Sequence, residues 1–463
     1  MLRPWQLTIN IAQKTKGQPL YLLLAEEIQR LIETGVLHAG DVLPGSRELA
    51  QQLGISRKTV VSAMDRLVYG GLLERRQRVG LFVRCDQCKS VAEPVAEPEA
   101  SPSALAPVAS HLVTFRDVPD VNLMPSAELS RAYRMHFNRA AKWRQLDYSD
   151  PRGVERFRKA LSMAMCHSRG MCVCADEVMI TNGGQQSIYL AAHALLRPGD
   201  AIVVEELAHP IVIRAFETAG LQVLTIPVDH DGLIVSCLPQ MLAENPAIRA
   251  IYVTPRVHYP TTASLSEKRR EQLAGLVVNH DLLVIEDDFD AIIHLSGIRM
   301  LPLSALLPKE NYIYVCTATR ALAPVVRMGY VCASRSHICR MTEYRTYVDV
   351  QGDSIMECAL LELIETGEVR RHIRHSIRLY GERLNYVSER LKYELASKVV
   401  YHRPVGGLAI WLEVRSDPTT QLRNAGIDLH VYALSNGRYG LRVGYAAASR
   451  EHIDLLIDAL KGL

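Results

Sequence analysis

Apolar residues recur at helical spacing three times within the first 70 residues. The stretch PLYLLLAEEIQRLIETGVL predicts one helix, SRELAQQL a second and SRKTVVSAMDRLVYGG a third. We expect Ser46 to cap the second helix, Gly54 to end it and Ser56 to cap the third. A short turn therefore joins two helices, and the second of these begins with polar residues. Val60 and Met64 lie at core spacing on it.

A basic hairpin is predicted directly after these helices. LLERRQRVGLFVR has two apolar arms on either side of a tip that carries Arg75, Arg76 and Arg78. A helix that enters the major groove presents its N-terminal residues to base edges, and a basic tip can reach the DNA backbone or the minor groove. The pattern therefore predicts a DNA-binding helix-turn-helix with a wing. The alternative is a small helical domain with a solvated basic hairpin.

The composition changes between Cys85 and Leu112, where KSVAEPVAEPEASPSALAPVAS is rich in proline, alanine, glutamate and serine and has no helical or strand periodicity. We interpret residues 85–112 as a flexible linker. It separates a first domain, residues 1–84, from a second domain, residues 113–463.

Strand-like and helical stretches alternate after the linker. Seven apolar segments predict strands: VMITNG, AIVVEE, QVLTIPV, IRAIYVTP, LLVIEDD, YIYVCT and MGYVCA. This alternation is typical of an α/β domain in which helices cover both faces of a mostly parallel sheet. Ligands of such sheets bind at the carboxyl ends of the strands, so the residues that follow each strand are the candidates for a binding site.

The charge is distributed unevenly. The chain has a net charge of +3, but residues 1–84 contain twelve lysines and arginines against seven aspartates and glutamates, which places +5 on the first domain and −2 on the rest. A basic first domain favours an anionic polymer as its partner. No apolar run is long enough to cross a bilayer, and the first residues lack the apolar core of a signal peptide. We expect a cytoplasmic protein that does not contact membranes.

The ten cysteines are scattered along the chain. Cys85 and Cys88 form a CDQC, and Cys166, Cys172 and Cys174 form a second cluster. Neither group is accompanied by a second CxxC or by a histidine pair at the spacing of a zinc site. We therefore expect reduced thiols and no metal, because a disulfide framework is typical of small secreted chains.

The first domain closely resembles the GntR-type winged helix-turn-helix. The segments PLY, LPGSRELAQQLGISRKTVVSAMDRLVYGG and GLFV carry this resemblance. It implies sequence-specific binding to double-stranded DNA, with Arg47 and Arg57 as the leading contacts. The residues expected at the DNA are Arg47, Ser56, Arg57, Lys58, Thr59, Arg75, Arg76 and Arg78.

The second domain resembles the fold type I, class I aminotransferases, and the whole chain then resembles the MocR subgroup of GntR regulators. Six motifs in the order of that family carry the resemblance: LDYSDPRGVERFRKAL, ITNGGQQSIYLAAHALLRPGD, VTPRVHYPT, VIEDDFDA, TRALAPVVRMGY and GLRVGYA. The resemblance implies a head-to-tail homodimer and a pocket that in the enzymes holds pyridoxal phosphate (PLP). The pocket residues it assigns are Gly184, Gln185, His209, Tyr259, Asp287, Phe289, Thr319, Arg320, Arg327 and Arg442.

The resemblance also implies roles within this pocket. Gly184 and Gln185 open a helix after a strand and offer amides to a phosphate, and Arg327 matches a phosphate-binding arginine. Asp287 matches the acid that pairs with the protonated ring nitrogen of PLP. Arg442 matches the arginine that holds a substrate carboxylate with its planar guanidinium. Without the resemblance, the same residues would be interpreted as a tight turn, a cap and surface ion-pair partners.

Several positions depart from the family pattern. The family's SKTLAP supplies the lysine that binds PLP, whereas here Thr319 is followed by Arg320. A guanidinium stays protonated and is no nucleophile, so Arg320 cannot form the imine of a PLP enzyme. Phe289 lacks the hydroxyl of the family's tyrosine, His209 stands where an aromatic residue stacks on the ring, and Thr262 stands where the family has a glycine. We expect no catalytic residue and no covalently bound cofactor, and leave noncovalent PLP binding open.

These features predict a DNA-binding transcription regulator whose inactive aminotransferase-like domain senses a small anionic ligand. Arg320, Arg327 and Arg442 around one pocket motivate the anion, and phosphorylated or dicarboxylic metabolites are the candidates. An opposing hypothesis is that Arg320 pairs with Asp287 and fills the cofactor space. Two other functions stay open: a PLP-dependent enzyme with an appended DNA-binding domain, and a dimerisation domain that binds no ligand.

Overall fold

A computed structural model describes residues 19–76, 80–84, 112–138, 147–295 and 300–463. The predicted linker, except for its last residue, lies outside this part of the chain, as do Arg78, Cys85, Cys88 and the side chain of Arg76. The chain divides into two compact units, residues 1–107 and 108–463. No helix in the described ranges is long and apolar enough to cross a membrane.

In its described residues, 19–76 and 80–84, the first unit contains three helices and a small antiparallel sheet. These elements are α1 (Leu20–Glu33), β1 (Val42–Leu43), α2 (Ser46–Leu53), α3 (Arg57–Tyr69), β2 (Leu73–Arg76) and β3 (Gly80–Val83). The sheet has the order β1-β3-β2, so β2 and β3 form the predicted hairpin. Val60 and Met64 on α3 are buried against Leu24 and Ile28 of α1 in one apolar core. The predicted winged helix-turn-helix is confirmed.

The turn between α2 and α3 forms as predicted, with one correction. Gly54 ends α2 in the left-handed region (φ 63°), and Ser56 caps α3 by accepting a hydrogen bond from the backbone nitrogen of Thr59 at 3.1 Å. Ser46, however, is the first residue of α2 and not its cap. Its hydroxyl instead accepts a hydrogen bond from Nε of Arg57 at 3.3 Å, which links the starts of the two helices.

A seven-stranded sheet forms the centre of the second unit, and its strands are the seven segments predicted from the sequence. They are β5 (Val178–Thr181), β6 (Ala201–Glu205), β7 (Gln222–Ile226), β10 (Ile248–Val253), β11 (Leu283–Asp287), β12 (Tyr312–Thr317) and β13 (Gly329–Ala333). The order is β5-β13-β12-β11-β10-β6-β7, with β13 antiparallel to both neighbours and the other pairs parallel. The predicted fold class is confirmed.

Helices cover this sheet on both faces. On β6, Val203 packs into one apolar cluster and Val204 into another, because successive side chains point to opposite faces. In the part of the second unit that the structure describes, the helices are α4 (Ser126–Asn138), α5 (Glu155–Arg169), α6 (Gly184–Leu195), α7 (Pro210–Thr218), α8 (Leu238–Glu244), α9 (Glu267–Asn279), α10 (Arg335–Thr346), α11 (Ser354–Glu365), α12 (Glu368–Glu394), α13 (Thr419–Asn424) and α14 (Arg450–Lys461).

A separate apolar core lies beneath a four-stranded antiparallel sheet near the end of the chain. The remaining strands are β4 (Val113–Thr114), β8 (Val228–Asp229), β9 (Gly232–Leu233), β14 (Val399–Tyr401), β15 (Ala409–Val414), β16 (Ile427–Asp428), β17 (Val431–Ala433) and β18 (Tyr439–Gly444). The four-stranded sheet has the order β14-β15-β18-β17, while β4 pairs with β16.

The segment after β4 runs beside the end of β18. Phe115 is buried in the core of the small sheet, and its carbonyl oxygen accepts a hydrogen bond from the backbone nitrogen of Gly444 at 3.1 Å. A Cβ at Gly444 would lie 2.1 Å from the carbonyl oxygen of Arg116, so this approach requires glycine. The contact fixes the position of Asp117 beside Arg442 of β18.

Candidate ligand pocket and DNA interface

Nine of the ten predicted pocket residues line one cavity of about 390 Å³ at the carboxyl ends of the parallel strands. Gly184 and Gln185 follow β5, His209 follows β6, and Asp287 ends β11. The predicted residues that line the cavity are Gly184, Gln185, His209, Tyr259, Asp287, Phe289, Thr319, Arg320 and Arg327. Arg442 is the exception, because it lies behind the cavity wall with its guanidinium carbon 5.0 Å from the centre of the Tyr259 ring.

One end of the cavity is suited to an anion. Gly183 has φ 96°, and a Cβ there would lie 3.0 Å from Nη2 of Arg327, so glycine allows the arginine to approach the start of α6. Arg327 is exposed, and the hydrogen bond it makes to the described residues goes to the carbonyl oxygen of Asn182 at 3.4 Å. A guanidinium beside the first amides of a helix, which have no partner within the helix, is typical of a phosphate-binding site.

Asp287 lies deeper in the cavity and contacts Tyr252. The Tyr252 hydroxyl donates a hydrogen bond to Oδ2 of Asp287 at 2.9 Å. Burial raises the pKa of Asp287 to about 7, the hydrogen bond from Tyr252 opposes this shift, and the carboxylates of Asp288 and Asp290 add to it. Asp287 does not pair with Arg320, so the opposing hypothesis was wrong about this partner.

Arg320 forms its ion pairs with two other carboxylates. Its Nε and Nη2 donate hydrogen bonds to the two oxygens of Asp290 at 2.8 and 3.0 Å. Nη2 also donates to Oδ1 of Asp117 at 2.6 Å, and Nη1 donates to the backbone carbonyl of Asp117. The side chain is 14% exposed, and that of Asp290 is 1% exposed. The guanidinium is therefore largely neutralised and is fixed in the cavity wall.

Asp117 connects this ion pair to Arg442. The second oxygen of Asp117 accepts a hydrogen bond from Nε of Arg442 at 2.8 Å and another from its Nη2. Nη1 of Arg442 donates to the carbonyl oxygen of Pro260 at 2.8 Å. Burial alone would raise the pKa of Asp117, but Arg320 and Arg442 outweigh it and hold that pKa well below its usual range. Two of the three arginines expected to attract an anion thus have an internal carboxylate as partner.

Sequence reasoning missed Asp117, Asp290 and Tyr252, and the first of these gave no signal. Asp117 lies 203 residues before Arg320 and 325 residues before Arg442. Asp290, by contrast, belongs to the quoted motif VIEDDFDA. Tyr252 lies within β10 and not after its end, where parallel sheets bind their ligands.

The remaining pocket residues define the walls of the cavity. Nδ1 of His209 accepts a hydrogen bond from the backbone nitrogen of Ile211 at 3.2 Å, so His209 caps α7. Its ring centre lies 4.8 Å from that of Tyr259, and burial, together with Arg442, lowers its pKa. Thr319 donates to a backbone carbonyl at 2.8 Å. The ring of Phe289 lies 5.2 Å from the guanidinium carbon of Arg320.

The described residues match the noncovalent contacts of PLP better than its covalent attachment. Gly184, Arg327 and Asp287 offer partners for a phosphate and a ring nitrogen. No lysine lines the cavity in the described ranges, and Arg320 is committed to Asp117 and Asp290.

Several of the predicted DNA-contacting side chains that the structure describes lie on the surface of the first unit. Arg47 at the start of α2 and Arg57 and Lys58 at the start of α3 are exposed. Arg75 on the hairpin forms an ion pair with Asp65 at 2.6 Å, in which both side chains are more than half exposed. Such a pair contributes about 0–1 kcal/mol and leaves the arginine available to a phosphate.

The predicted cysteine clusters show no metal site in the described ranges. Cys166, Cys172 and Cys174 are free and exposed. No group of three or more metal-binding side chains occurs among the residues that were described.

Two protein families match the sequence. Residues 20–83 match the family described as "Bacterial regulatory proteins, gntR family", and residues 121–460 match "Aminotransferase class I and II". The HTH-type pyridoxine biosynthesis transcriptional regulator PdxR of Corynebacterium glutamicum is 30% identical over 376 residues, which cover 80% of this chain and 78% of that protein. The probable rhizopine catabolism regulatory protein MocR of Rhizobium meliloti is 25% identical over 381 residues, which cover 79% of this chain and 76% of that protein.

A solved structure shows the same fold in the second unit. The kynurenine aminotransferase of Pyrococcus horikoshii aligns with a TM-score of 0.70 and 24% identity, covering 76% of this chain and 92% of the enzyme. The winged helix-turn-helix at residues 20–83 implies DNA binding, and the two relatives, which are named as regulators, match about four fifths of this chain. The chain therefore belongs to the MocR-type transcription regulators of the GntR family, in which a GntR helix-turn-helix domain is fused to a class I and II aminotransferase domain.

Proposed function

We propose that the aminotransferase-like domain of this regulator is not an enzyme and senses a small phosphate-bearing anion that it binds without a covalent bond. The observation that carries the proposal is the pairing of Arg320 with Asp290 and Asp117. In the family pattern this position belongs to the PLP-binding lysine, and we propose that the arginine replaced it. A guanidinium between two carboxylates is permanently charged and cannot attack a carbonyl.

The ligand contacts are assigned to the open end of the cavity. Arg327 has no strong internal partner among the described residues, and it lines the same cavity as Gly184 and Gln185 at the start of α6. A phosphate monoester matches these donors in charge and geometry. Noncovalently bound PLP is one such ligand, with Asp287 as the partner for its ring nitrogen.

Ligand binding would then be coupled to DNA binding by the first domain. We propose that Arg57 and Lys58 contact the major groove and that the hairpin arginines contact phosphates, as in other winged helix-turn-helix proteins. The resemblance further favours a head-to-tail homodimer, which sedimentation of the full chain would test. The proposal of a sensor differs from that of a dimerisation domain in requiring a saturable ligand.

Calorimetry of the full chain tests the proposal, with inorganic phosphate and PLP as probes. We expect saturable binding that Arg327→Ala weakens by about tenfold or more. Arg340→Ala is a matched control, since Arg340 is also exposed and also donates to a backbone carbonyl, at Ala194 (2.7 Å). Binding in all three proteins with equal affinity, or in none, would contradict the assignment of this site.

Borohydride reduction provides a second readout. A protein that binds PLP noncovalently retains no pyridoxyl group after reduction and denaturation. If mass spectrometry detects this group on any lysine of the wild-type chain, the result contradicts noncovalent binding and favours the hypothesis of a PLP-dependent enzyme.

A further inference from the structure

We infer that Asp117 is an internal carboxylate that occupies the end of the cavity next to Arg442, where a ligand carboxylate would otherwise bind. The domain therefore selects phosphate monoesters and rejects amino acids and dicarboxylic acids. This inference rests on the proposed function, because it assigns the ligand class of the same cavity. It separates the two classes of metabolite that the three arginines would otherwise attract equally.

The geometry at Arg442 leaves its donors without room for a ligand carboxylate. A planar guanidinium binds a ligand carboxylate through parallel N–H donors, and Nε with Nη2 is one such pair. Both atoms donate to the same carboxylate of Asp117, and Nη1 is used by the carbonyl of Pro260. Arg442 is 6% exposed. The donors that would hold a ligand carboxylate are therefore occupied by the protein itself.

The charges around Asp117 also oppose the binding of a ligand carboxylate at Arg442. Arg320 contacts the other oxygen of this carboxylate and also pairs with Asp290. A ligand carboxylate at Arg442 would displace Asp117 from this arginine. Asp117 would then be buried with Arg320 as its remaining partner, and it would lie near two other anions, Asp290 and the ligand. Like charges at such distances in a buried site oppose binding strongly.

The backbone also fixes Asp117 in its place beside Arg442. β4 pairs with β16, Phe115 is buried, and the Gly444 contact fixes the segment against β18. A carboxylate on a fixed segment competes with a dissolved ligand at a high effective concentration. Displacement would therefore require movement of packed backbone.

At the opposite end of the cavity, Arg327 forms no ion pair with the residues that the structure describes. Arg327 lies beside Gly183 and makes one long hydrogen bond, to a neutral carbonyl. A dianionic phosphate gains charge-assisted hydrogen bonds there without displacing a protein carboxylate. The two ends of the cavity thus differ in the ligand group that they accept.

Calorimetry with the wild-type full chain is the first test, with inorganic phosphate and succinate as probes. We expect phosphate to bind and succinate to bind at least about tenfold more weakly, with no dependence of the succinate signal on Arg442. Succinate binding that matches phosphate and is weakened by Arg442→Ala would overturn the inference.

Chemical rescue of Asp117→Ala is the second test. Removing this side chain leaves two buried arginines without their shared partner, so we expect the variant to unfold at a lower temperature. Formate is small enough to replace the lost carboxylate. It should raise the melting temperature of the variant in a saturable manner, above the effect of sodium chloride at equal ionic strength, and should leave the wild type unchanged.

Asp176→Ala is the matched control, because Asp176 forms ion pairs with Arg152 and Arg335 that lie outside the cavity. Its melting temperature should not respond specifically to formate. An Asp117→Ala protein with wild-type stability, or with the same formate response as Asp176→Ala, would contradict the inference. If Asp117→Ala does not fold, Asp117→Ala/Arg442→Met removes Asp117 together with one of its two arginine partners and serves as the host for the succinate measurement. Succinate should then show no gain over the wild type, and tighter succinate binding to this variant would contradict the role assigned to Arg442.

The failure of the proposed function gives a different result. In that case the wild-type chain binds neither phosphate nor PLP, whereas formate still rescues Asp117→Ala. If phosphate binds but formate fails to rescue, the proposed function stands and the role of Asp117 is wrong.

Discussion

Arg320 and Asp290 form a two-point ion pair in the wall of the cavity, with Nε and Nη2 at 2.8 and 3.0 Å from the two carboxylate oxygens. The pair is almost fully buried. Both charges would be unfavourable in this environment without the other, and Asp117 supplies the additional contact that satisfies the guanidinium. Arg320 is thus part of the packing of the domain.

Arg320→Ala should therefore destabilise the protein. Loss of the guanidinium leaves Asp290 and Asp117 buried with fewer partners, and breaking a buried ion pair typically costs about 3–5 kcal/mol. Urea unfolding of the full chain, followed by tryptophan fluorescence and circular dichroism, measures this change. Arg327→Ala removes an exposed arginine from the same cavity and should change the stability by less than about 0.5 kcal/mol. Equal stabilities of the two variants would contradict the structural role of Arg320.

The sequence predicted most of the architecture because its signals are local. The seven strands of the central sheet have nearly continuous apolar sequences, such as AIVVE in β6, which is buried throughout. The position of Asp287 at the end of β11 followed from the same pattern together with the family motif. Ser46 was misassigned as a cap because capping and first-turn positions favour the same residues, and only the contact with Arg57 distinguishes them.

The ion-pair network could not be predicted in the same way. Asp117 reaches Arg320 and Arg442 because β4 pairs with β16 and because the chain passes Gly444 closely. These contacts connect positions hundreds of residues apart, and no periodic pattern in the sequence indicates them. The sequence predicted a strongly cationic pocket because it shows the arginines but not the carboxylates, Asp117 and Asp290, that pair with them. The roles of the individual pocket and DNA-contacting residues stay predictions.

Arg57→Ala should weaken binding to a specific operator by about 1–3 kcal/mol and relax the base preference, if this side chain contacts a base. Arg57 is exposed at the start of α3, and its one hydrogen bond in the described part of the chain is to Ser46. Fluorescence anisotropy with the operator and with single-base variants measures both effects. Arg76→Ala should weaken all sequences equally, because a wing arginine contacts phosphates. Unchanged operator affinity of a dimeric, folded Arg57→Ala protein would contradict the assignment.

Asp287→Asn should change how stability depends on pH. Burial raises the pKa of Asp287 from 3.8 to about 7, so the folded state binds more protons than the unfolded state between these values. The wild-type contribution is therefore most favourable at low pH and is lost as the pH rises toward 7. Relative to the wild type, Asp287→Asn should gain about 2–3 kcal/mol between pH 5 and pH 8.

Urea unfolding of both proteins in ligand-free buffers at pH 5, 6.5 and 8 measures this difference. The asparagine oxygen can still accept the hydrogen bond from Tyr252, which limits other effects of the substitution. A stability difference between the two proteins that is constant across this range would show that Asp287 does not titrate there.

Restoring the family residues should restore covalent binding of PLP, but only at high pH. In Arg320→Lys/Phe289→Tyr the new amine lies between Asp117 and Asp290, and both carboxylates favour its protonated form. Only the neutral amine is a nucleophile, so the pyridoxyl group recovered after borohydride reduction should increase as the pH is raised. Adding Asp117→Asn removes one of the two carboxylates and should shift this increase to lower pH. Visible absorbance and peptide mass spectrometry measure the yield at each pH.

The single variant Phe289→Tyr is the control and should give no adduct, because it keeps Arg320. An adduct on this control would contradict this account of the pocket, and so would a yield in the double variant that does not depend on pH.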